Sequence, residues 1–195
     1  MIGQLGFHVQ QDRCIGCFTC QIACKDKNDL EVGQLYRRVH EIAGGGYTGT
    51  GNNALKADVY AYWISLGCNH CQDPPCVKNC PTGAMQKRAE DGVVYVDQEK
   101  CIGCRYCIWS CPYGAPQYNP QSGKVGKCDF CRDLLAKGEP PACVAACPMR
   151  VLDYGPLAEL KKKYQGTNQI KGLPDPRITN PSIIITPHRD AALGK

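Results

Sequence analysis

The amino-acid sequence predicts an α+β protein made of two nested, cysteine-rich units, with a β-hairpin insert and an extended C-terminal tail. Three observations support this fold class. The 195 residues include 16 cysteines, far more than average usage, which indicates structure built on sulfur ligation. The cysteines fall into four groups of four, in which compact and expanded spacings alternate along the sequence. Short segments beside the groups also repeat, which indicates an internal duplication.

The cysteine groups follow two related spacings. The compact groups have the spacing C-x2-C-x2-C-x3-C and are Cys14, Cys17, Cys20 and Cys24 (group one) and Cys101, Cys104, Cys107 and Cys111 (group three). The expanded groups are Cys68, Cys71, Cys76 and Cys80 (group two) and Cys128, Cys131, Cys143 and Cys147 (group four). No cysteine lies outside the four groups.

The segments that flank the groups carry the duplication. Residues 7–14 (FHVQQDRC) and 94–101 (VYVDQEKC) each predict a short strand that leads into a cysteine loop. Residues 80–84 (CPTGA) and 111–115 (CPYGA) match at four of five positions. The repeat is too short for a solenoid and predicts two similar units instead.

The compact spacing is that of the bacterial ferredoxins, in which three cysteines of one loop bind one [4Fe-4S] cluster and the fourth binds its neighbour. Gly16 and Gly103 each lie directly before a second cysteine. We expect them to let the backbone approach the cluster closely, so that amide groups can hydrogen-bond to sulfur. Sixteen cysteines therefore predict four [4Fe-4S] clusters.

Two other uses of the cysteines have to be weighed. Taken alone, group four also fits a closed tetrahedral zinc site, and small secreted proteins use many cysteines in disulfides. The ferredoxin spacing of groups one and three disfavours zinc. Separations of about one helical turn within a group suit ligation of a shared cluster better than disulfide bonds.

The separation between groups predicts which of them share a unit. Residues 81–100, 20 in number, separate group two from group three, about the length of a strand pair, whereas the 43 residues 25–67 separate group one from group two. We therefore expect groups two and three to form one unit, and groups one and four to form another around it. Exchange of the last cysteine between paired groups then predicts four ligand sets: Cys14, Cys17, Cys20 and Cys147 for cluster one; Cys24, Cys128, Cys131 and Cys143 for cluster two; Cys68, Cys71, Cys76 and Cys111 for cluster three; and Cys80, Cys101, Cys104 and Cys107 for cluster four.

The predicted domain organisation follows from this pairing. Residues 1–57 with 120–155 are expected to form one ferredoxin-like unit, which includes the hairpin insert, and residues 58–119 the other. Residues 156–195 are expected to form a short helix and an extended tail that contact partner subunits.

The segments outside the cysteine groups predict a few regular elements. Residues 35–42 and 58–66 are expected to be strands that flank the glycine-rich loop 44–53 as a hairpin. Residues 156–164 predict a helix with Leu157, Leu160 and Tyr164 on one face. In the proline-containing tail, residues 183–185 predict a single strand.

The composition excludes several function classes. The formal charge is +5, but the basic residues are scattered, and the small clusters at 37–38 and 161–163 are expected to be solvated faces. Four oxidised clusters with their thiolates would bring the net charge to about −3, so nucleic-acid binding is not expected. The apolar runs are too short for a direct membrane span, and the N-terminus has no export-signal pattern.

Complete ligation indicates electron transfer rather than catalysis. Four cysteines per cluster leave no iron open to a substrate, and the C-x3-C-x2-C spacing of radical adenosylmethionine enzymes is absent. We therefore expect no catalytic residue in this protein and outer-sphere transfer of single electrons. His70 is expected either to donate a hydrogen bond to sulfur or to be an ordinary loop residue. Arg105 and Trp109 are expected either to tune a cluster or face a partner, or simply to pack.

With these groups in place, the sequence resembles the iron–sulfur electron-transfer subunits of the molybdopterin oxidoreductase family, most closely the dimethyl sulfoxide reductase type. The resemblance rests on residues 14–30 (CIGCFTCQIACKDKNDL), 68–85 (CNHCQDPPCVKNCPTGAM), 101–119 (CIGCRYCIWSCPYGAPQYN), 127–148 (KCDFCRDLLAKGEPPACVAACP) and 152–160 (LDYGPLAEL). It departs from the ferredoxin pattern at Lys25, which follows Cys24 where proline follows the last cysteine of the other groups. All four cysteines of group three are present, unlike in relatives that hold a three-iron cluster there.

The resemblance implies a subunit of a three-part complex. Its partners would be a molybdopterin catalytic subunit and a membrane anchor that handles quinol, and its four clusters would carry electrons between them in anaerobic respiration. It also implies a peripheral membrane location, on the outer (periplasmic) face after export with the catalytic subunit, or else on the cytoplasmic face. The alternatives are the same electron wire in a thiosulfate, selenate or formate enzyme, a free-standing polyferredoxin, and a zinc-bound structural adaptor.

Overall fold

The structure is a computed structural model that describes residues 3–51 and 54–193, so the last two residues of the expected loop 44–53 lie outside the described residues. Its strands are β1 (Leu5–Gln10), β2 (Arg38–Gly44), β3 (Tyr47–Gly49), β4 (Leu55–Ala57), β5 (Tyr60–Leu66), β6 (Met85–Lys87), β7 (Val94–Val96), β8 (Gln117–Asn119), β9 (Lys124–Gly126), β10 (Leu152–Pro156) and β11 (Ile183–Thr186). Its α-helices are α1 (Thr19–Lys27), α2 (Pro75–Lys78), α3 (Tyr106–Ser110), α4 (Arg132–Leu135), α5 (Ala142–Ala145) and α6 (Leu157–Lys163). The fold is therefore mixed α and β, with short elements between the cysteine loops.

The largest sheet joins the two ends of the protein. Its strand order is β10-β1-β11, with β1 antiparallel to β10 and parallel to β11. Leu5, Phe7 and Val9 of β1 are buried, since the strand lies in the middle of this sheet. The sheet thereby brings the segment just before group one next to the segment just after group four.

The described residues also form four two-stranded antiparallel ribbons. Strands β2 and β5 pair antiparallel from Arg38↔Leu66 to Gly44↔Tyr60, and β3 pairs with β4 beyond them. Strands β6 and β7 pair between groups two and three, and β8 and β9 pair between groups three and four. Two of these ribbons join residues on either side of an expected unit boundary. Strand β2 lies before the boundary at 57/58 and β5 after it, while β8 lies before the boundary at 119/120 and β9 after it. The division into those units stays a prediction.

The buried side chains form two main clusters, and each includes cysteines. The larger contains Phe7 and Phe130, whose stacked rings have centres 4.1 Å apart, together with Val39, Tyr62 and Ile64 from β2 and β5. The smaller is formed by Met85, Val94 and Val125 with Cys76 and Cys107. Because apolar side chains and sulfurs share these cores, the cysteine sites are shielded from water on their inner sides.

The segment after group four packs on the rest of the same molecule. The predicted helix is confirmed as α6, with Leu157 and Leu160 buried against Ile184 and with Tyr164 beside them. The predicted strand is confirmed as β11, one residue longer than expected. Contact of this segment with partner subunits stays a prediction. Among the described residues, no helix combines the length and the apolar character that a bilayer crossing requires.

Candidate metal centres

The four cysteine loops share one backbone feature. The residue directly before the second cysteine has a positive φ in every group: 64° at Gly16, 42° at His70, 69° at Gly103 and 68° at Phe130. In groups two and four, this left-handed turn aims the amide of that residue at the first sulfur. The amide of His70 lies 3.5 Å from Cys68 Sγ, and the amide of Phe130 lies 3.5 Å from Cys128 Sγ. Such turns build small anion-binding concavities from backbone N–H groups.

The two glycines of the compact loops are required by contacts with other segments of the molecule, whereas their close approach to a cluster stays a prediction. A Cβ atom on Gly16 would lie 2.5 Å from the Trp63 indole nitrogen, and one on Gly103 would overlap the carbonyl oxygen of Gly123. Both residues also have the left-handed φ that glycine adopts at little cost. The close approach that the structure shows is therefore between each loop and other segments of the same molecule.

Three cavities are each lined by four cysteines, three from one group and the last cysteine of another. The first cavity is lined by Cys14, Cys17, Cys20 and Cys147, the second by Cys68, Cys71, Cys76 and Cys111, and the third by Cys80, Cys101, Cys104 and Cys107. Apolar side chains complete the walls, for example Val39, Val151 and Leu152 in the first cavity. These sets have the composition expected for clusters one, three and four. The ligand assignment itself stays a prediction.

The other four cysteines also lie in one region of the interior. Helix α1, which carries Cys24, packs against α5, which carries Cys143. Burial raises the pKa of Cys24 to about 12, and the nearby sulfurs of Cys143 and Cys131 add to this. Burial likewise raises the pKa of Cys128 well above its ordinary value, with Cys24 as its strongest neighbouring sulfur. This is the set expected for cluster two.

The cysteines form no disulfide bonds: all sixteen lie in the described part of the sequence, and each is free. Within residues 3–51 and 54–193, no three Cys, His, Asp or Glu side chains converge closely enough to hold a single metal ion. The sulfurs instead surround cavities.

The protonation of the buried thiols makes metal binding a proton-releasing step. Burial raises the pKa of Cys71 and Cys76 to about 12, and the pKa of Cys107 to about 11. At neutral pH these groups are thiols unless a cation displaces the proton, because thiolate is the form that ligates metals. The exposed Cys17 differs, since a hydrogen bond of 3.3 Å from Thr19 Oγ1 lowers its pKa.

His70 lies between cysteines of two expected clusters. Its ring is fully buried, and burial lowers its pKa well below the ordinary value, so the ring is neutral. Nδ1 accepts a hydrogen bond of 3.0 Å from the Val94 amide, which leaves the proton on Nε2. Nε2 therefore donates to Cys128 Sγ at 3.6 Å. Of the two alternatives for His70, the structure shows the sulfur contact, and its partner is a cysteine of group four.

Two buried cations, which the sequence did not reveal as such, lie among the cysteines. Lys127 is buried and donates to the carbonyl oxygens of Val94 and Cys128. Arg37 is only 2 % exposed, so the expectation that the 37–38 pair forms a solvated face is wrong for this residue. The period-two pattern of the adjoining strand was the available signal, because it places Arg37 on the same face as the buried Val39.

The surroundings of Arg37 test whether an anionic cofactor fits. Its Nη1 donates to Ser65, while its Nη2 is buried with no hydrogen-bond partner. Among the described residues, no carboxylate forms an ion pair with it. Although burial opposes this, the sulfurs of Cys143 and Cys128 raise the pKa of Arg37 above its ordinary value. A thiolate-ligated four-iron cluster, which carries net negative charge, fits this cation and this set of sulfur donors.

The two most exposed cysteines, Cys17 and Cys104, are each flanked by exposed apolar side chains. Ile15, Phe18 and Ile22 are close to the first in the sequence, and Ile102, Tyr106 and Trp109 are close to the second. The guanidinium of Arg105 lies 3.7 Å from the centre of the Tyr118 ring, and Arg105 also lines the third cavity. Trp109 is 75 % exposed. The alternatives for both residues stay predictions. The sites of groups one and three are thus the ones nearest the surface.

Comparisons with known proteins agree with this chemistry. The model of a family described as "4Fe-4S dicluster domain" matches residues 59–157. The protein is similar to the B subunit of anaerobic dimethyl sulfoxide reductase of Escherichia coli (strain K12), with 49 % identity over 98 % of this sequence and 92 % of the relative. It is also similar to the thiosulfate reductase electron transfer subunit PhsB of Salmonella typhi, with 42 % identity over 82 % of this sequence and 80 % of the relative. The formate dehydrogenase-O iron-sulfur subunit of Escherichia coli (strain K12) is 35 % identical over 76 % of this sequence and 52 % of the relative.

Proposed function

Because this protein belongs to the 4Fe-4S dicluster domain family, we propose that it is the electron-transfer subunit of a molybdoenzyme complex. It carries four [4Fe-4S] clusters and relays electrons between a quinol-linked membrane anchor and a molybdopterin catalytic subunit. The single observation that carries this proposal is the arrangement of the cysteines: three cavities, each with four sulfurs drawn from two groups.

The residues of the protein explain why the sites suit electron transfer and not substrate chemistry. Four cysteines per site would supply one ligand to each iron of a bound cluster, so no iron would be open to a substrate. When bound, the clusters would supply one-electron oxidation and reduction. The apolar walls exclude water, and amides such as those of His70 and Phe130 donate to the sulfurs. Hydrogen bonds and solvent exclusion of this kind set the reduction potential of a cluster.

The proposed ligand sets are those predicted from the group spacing. Cys14, Cys17, Cys20 and Cys147 hold cluster one; Cys24, Cys128, Cys131 and Cys143 hold cluster two; Cys68, Cys71, Cys76 and Cys111 hold cluster three; and Cys80, Cys101, Cys104 and Cys107 hold cluster four. The two nested ferredoxin-like units, 1–57 with 120–155 and 58–119, belong to the same proposal. The pairing of β1 with β10 supports this division, because it joins the segment before group one to the segment after group four.

The order of the clusters along the electron path is proposed to be one, two, three and four. Helix α1 carries ligands of clusters one and two, and α2 packs against α3 between clusters three and four. His70 contacts Cys68 of cluster three and Cys128 of cluster two, which makes those two neighbours. The exposure of Cys17 and Cys104 supports clusters one and four as the two ends.

The proposed complex is of the dimethyl sulfoxide or N-oxide reductase type, on the strength of the 49 % identity to the B subunit of a dimethyl sulfoxide reductase. The alternative is the same series of clusters in a thiosulfate or formate enzyme, because subunits of both enzymes are also similar to this protein. Since the four-cysteine sites offer no iron to a substrate, the choice of substrate belongs to the catalytic partner. We place the complex peripherally on the membrane, on the periplasmic face or else the cytoplasmic one.

Anaerobic purification in mild detergent tests the proposal. We expect about sixteen irons and sixteen sulfides per molecule of this subunit, together with a molybdenum-containing subunit and an apolar anchor subunit. Stoichiometric zinc in place of iron would contradict the cluster assignment. Recovery of this subunit alone, with its clusters intact, would contradict the complex and leave the polyferredoxin.

A further inference from the structure

We propose that Arg37 is an internal counter-charge shared by clusters one and two, and that it raises the reduction potentials of these two clusters above those that the same ligands would give without it. The inference rests on the proposed function, since it requires the clusters to be bound. In this role Arg37 does not contact the clusters directly and acts on them through the ligand sulfurs.

The side chain of Arg37 is connected to the ligands of cluster one through Ser65. Nη1 of Arg37 donates to Ser65 Oγ at 3.1 Å and to the Ser65 carbonyl oxygen at 3.2 Å. Ser65 Oγ in turn lies 3.3 Å from Cys20 Sγ. Because Arg37 can only donate, the hydroxyl accepts from it and its own hydrogen is available for the sulfur. The positive charge therefore polarises a hydrogen bond that ends on a ligand of cluster one.

The backbone of the same residue is connected to cluster two. Burial raises the pKa of Cys24, and the backbone N–H group of Arg37, which lies beside this sulfur, opposes the rise. Two residues later, the Val39 amide donates to Gln21 Oε1 at 2.9 Å, which fixes this segment along helix α1 between Cys20 and Cys24. Arg37 thus lies where the ligand sets of clusters one and two meet, and these sets share α1.

Within residues 3–51 and 54–193, the guanidinium has no carboxylate to neutralise it. Among the residues that the structure describes, no acidic side chain pairs with Arg37, and its Nη2 is buried without a partner. The face of the Phe7 ring, 4.7 Å from the guanidinium carbon, covers it on one side. A buried charge is costly unless opposite charge lies nearby. Burial by itself lowers the pKa of Arg37, and the sulfurs that oppose this most strongly are those of Cys143, Cys128 and Cys20.

The effect on potential follows from the charge that reduction adds. A cluster gains one negative charge when it is reduced, and a buried cation attracts the more negative state more strongly, because charges interact strongly in a medium of low dielectric constant. The cation therefore favours reduction of the clusters beside it. Lys127 lines the cavity of cluster three, and Cys104 of cluster four is exposed to solvent, so we expect the effect of Arg37 on these two clusters to be small.

The test is a potentiometric titration of the purified complex followed by electron paramagnetic resonance, with each signal assigned by Cys→Ser variants in the four ligand sets. For Arg37→Gln we expect clusters one and two to become at least tenfold less reduced at a fixed potential, which is a shift of 59 mV for a one-electron couple. Arg37→Lys keeps the charge and should retain most of the potential. Lys162→Gln removes one exposed positive charge and serves as the matched control, with no shift expected.

Three results separate the possible failures. Arg37→Gln with four clusters bound and unchanged potentials, or with an equal shift of all four, overturns the inference. If Arg37→Gln prevents cluster loading, Ser65→Ala decides: it keeps the charge, and it should lower the potential of cluster one alone, so an unchanged potential overturns the inference. If the wild-type complex contains no iron and sulfide, the proposed function fails instead.

Discussion

The ring nitrogen Nε2 of His70 lies 3.6 Å from the sulfur of Cys128, although the two residues are 58 positions apart in the sequence. The backbone amide of His70 also lies 3.5 Å from Cys68 Sγ. One residue therefore contacts ligands of both inner clusters in the proposed assignment. The Val94 amide donates to Nδ1 at 3.0 Å and fixes the orientation of the ring. The ring proton is therefore on Nε2, which faces the sulfur of Cys128.

Replacement of His70 by Phe should lower the reduction potential of cluster two. The variant removes an N–H group that donates to sulfur and so stabilises the more negative, reduced cluster. A lost hydrogen bond of about 1 kcal/mol corresponds to a shift of roughly 40 mV, measurable by the same potentiometric titration. His40→Phe is the control, because His40 is exposed. An unchanged potential in the His70 variant, with iron content intact, would show that the contact has no electronic effect.

Serine variants can distinguish crossed from local ligation. In the proposed assignment Cys111 binds the cluster held by Cys68, Cys71 and Cys76, whose cavity it lines. Cys111→Ser and Cys71→Ser should therefore alter the same electron paramagnetic resonance signal, while Cys104→Ser alters a different one. If each group instead ligated its own cluster, Cys111→Ser and Cys104→Ser would both alter the same signal, and Cys71→Ser would alter a different one. Iron analysis of each variant shows whether the affected cluster is lost or only modified.

The sequence was informative where chemistry fixes spacing. Ligands of one compact cluster must lie close together in a loop, so the four groups and their repetition were visible directly. The helix at Leu157–Lys163 was also predictable, because Leu157, Leu160 and Tyr164 recur at helical spacing and pack against Ile184.

Features that depend on contacts between distant segments were not predictable. The strand pattern places Arg37 on the same face as Val39, but the contacts that bury its charge, with Ser65 and Phe7, come from distant segments. The left-handed conformation of Phe130 has no sequence signal, since phenylalanine rarely adopts it. It is imposed by the turn that this position makes in all four cysteine loops. The sulfur partner of His70 lies in another group, so no local pattern could name it.

Truncation of Ile185 should destabilise the protein strongly. Ile185 is fully buried in β11 and pairs with Val9 of the central strand. Ile185→Ala removes apolar surface and leaves a cavity, at a cost of about 3 kcal/mol in the free energy of unfolding. Ile178→Ala is the matched control, because Ile178 is 59 % exposed and its truncation should change the free energy by less than about 0.5 kcal/mol. Urea unfolding followed by circular dichroism measures both, and equal effects would contradict a structural role for the C-terminal strand.

His8 should make the stability of the fold depend on pH below neutrality. Burial lowers the pKa of His8 to about 4, an effect that the nearby Asp153 opposes and Lys163 strengthens. Its ring stacks on Tyr164 with centres 3.5 Å apart, and Nε2 lies 2.9 Å from Thr186 Oγ1. The unfolded protein takes up a proton near pH 6.5 and the folded protein only near pH 4. The stabilisation is therefore fully present above pH 6.5 and is lost as the pH falls towards 4.

A variant without a titrating ring isolates this contribution. Between about pH 7.5 and pH 5 the wild type should lose about 2 kcal/mol more of its free energy of unfolding than His8→Gln, because only the wild type has a side chain at this position that binds a proton on unfolding. The contribution of His8 is the difference between the two proteins in how the free energy of unfolding changes with pH. The pH dependence of either protein alone also includes the response of the cysteine sites to acid. Parallel pH profiles of the two proteins in anaerobic urea unfolding would show that His8 is protonated at the same pH in the folded and unfolded states.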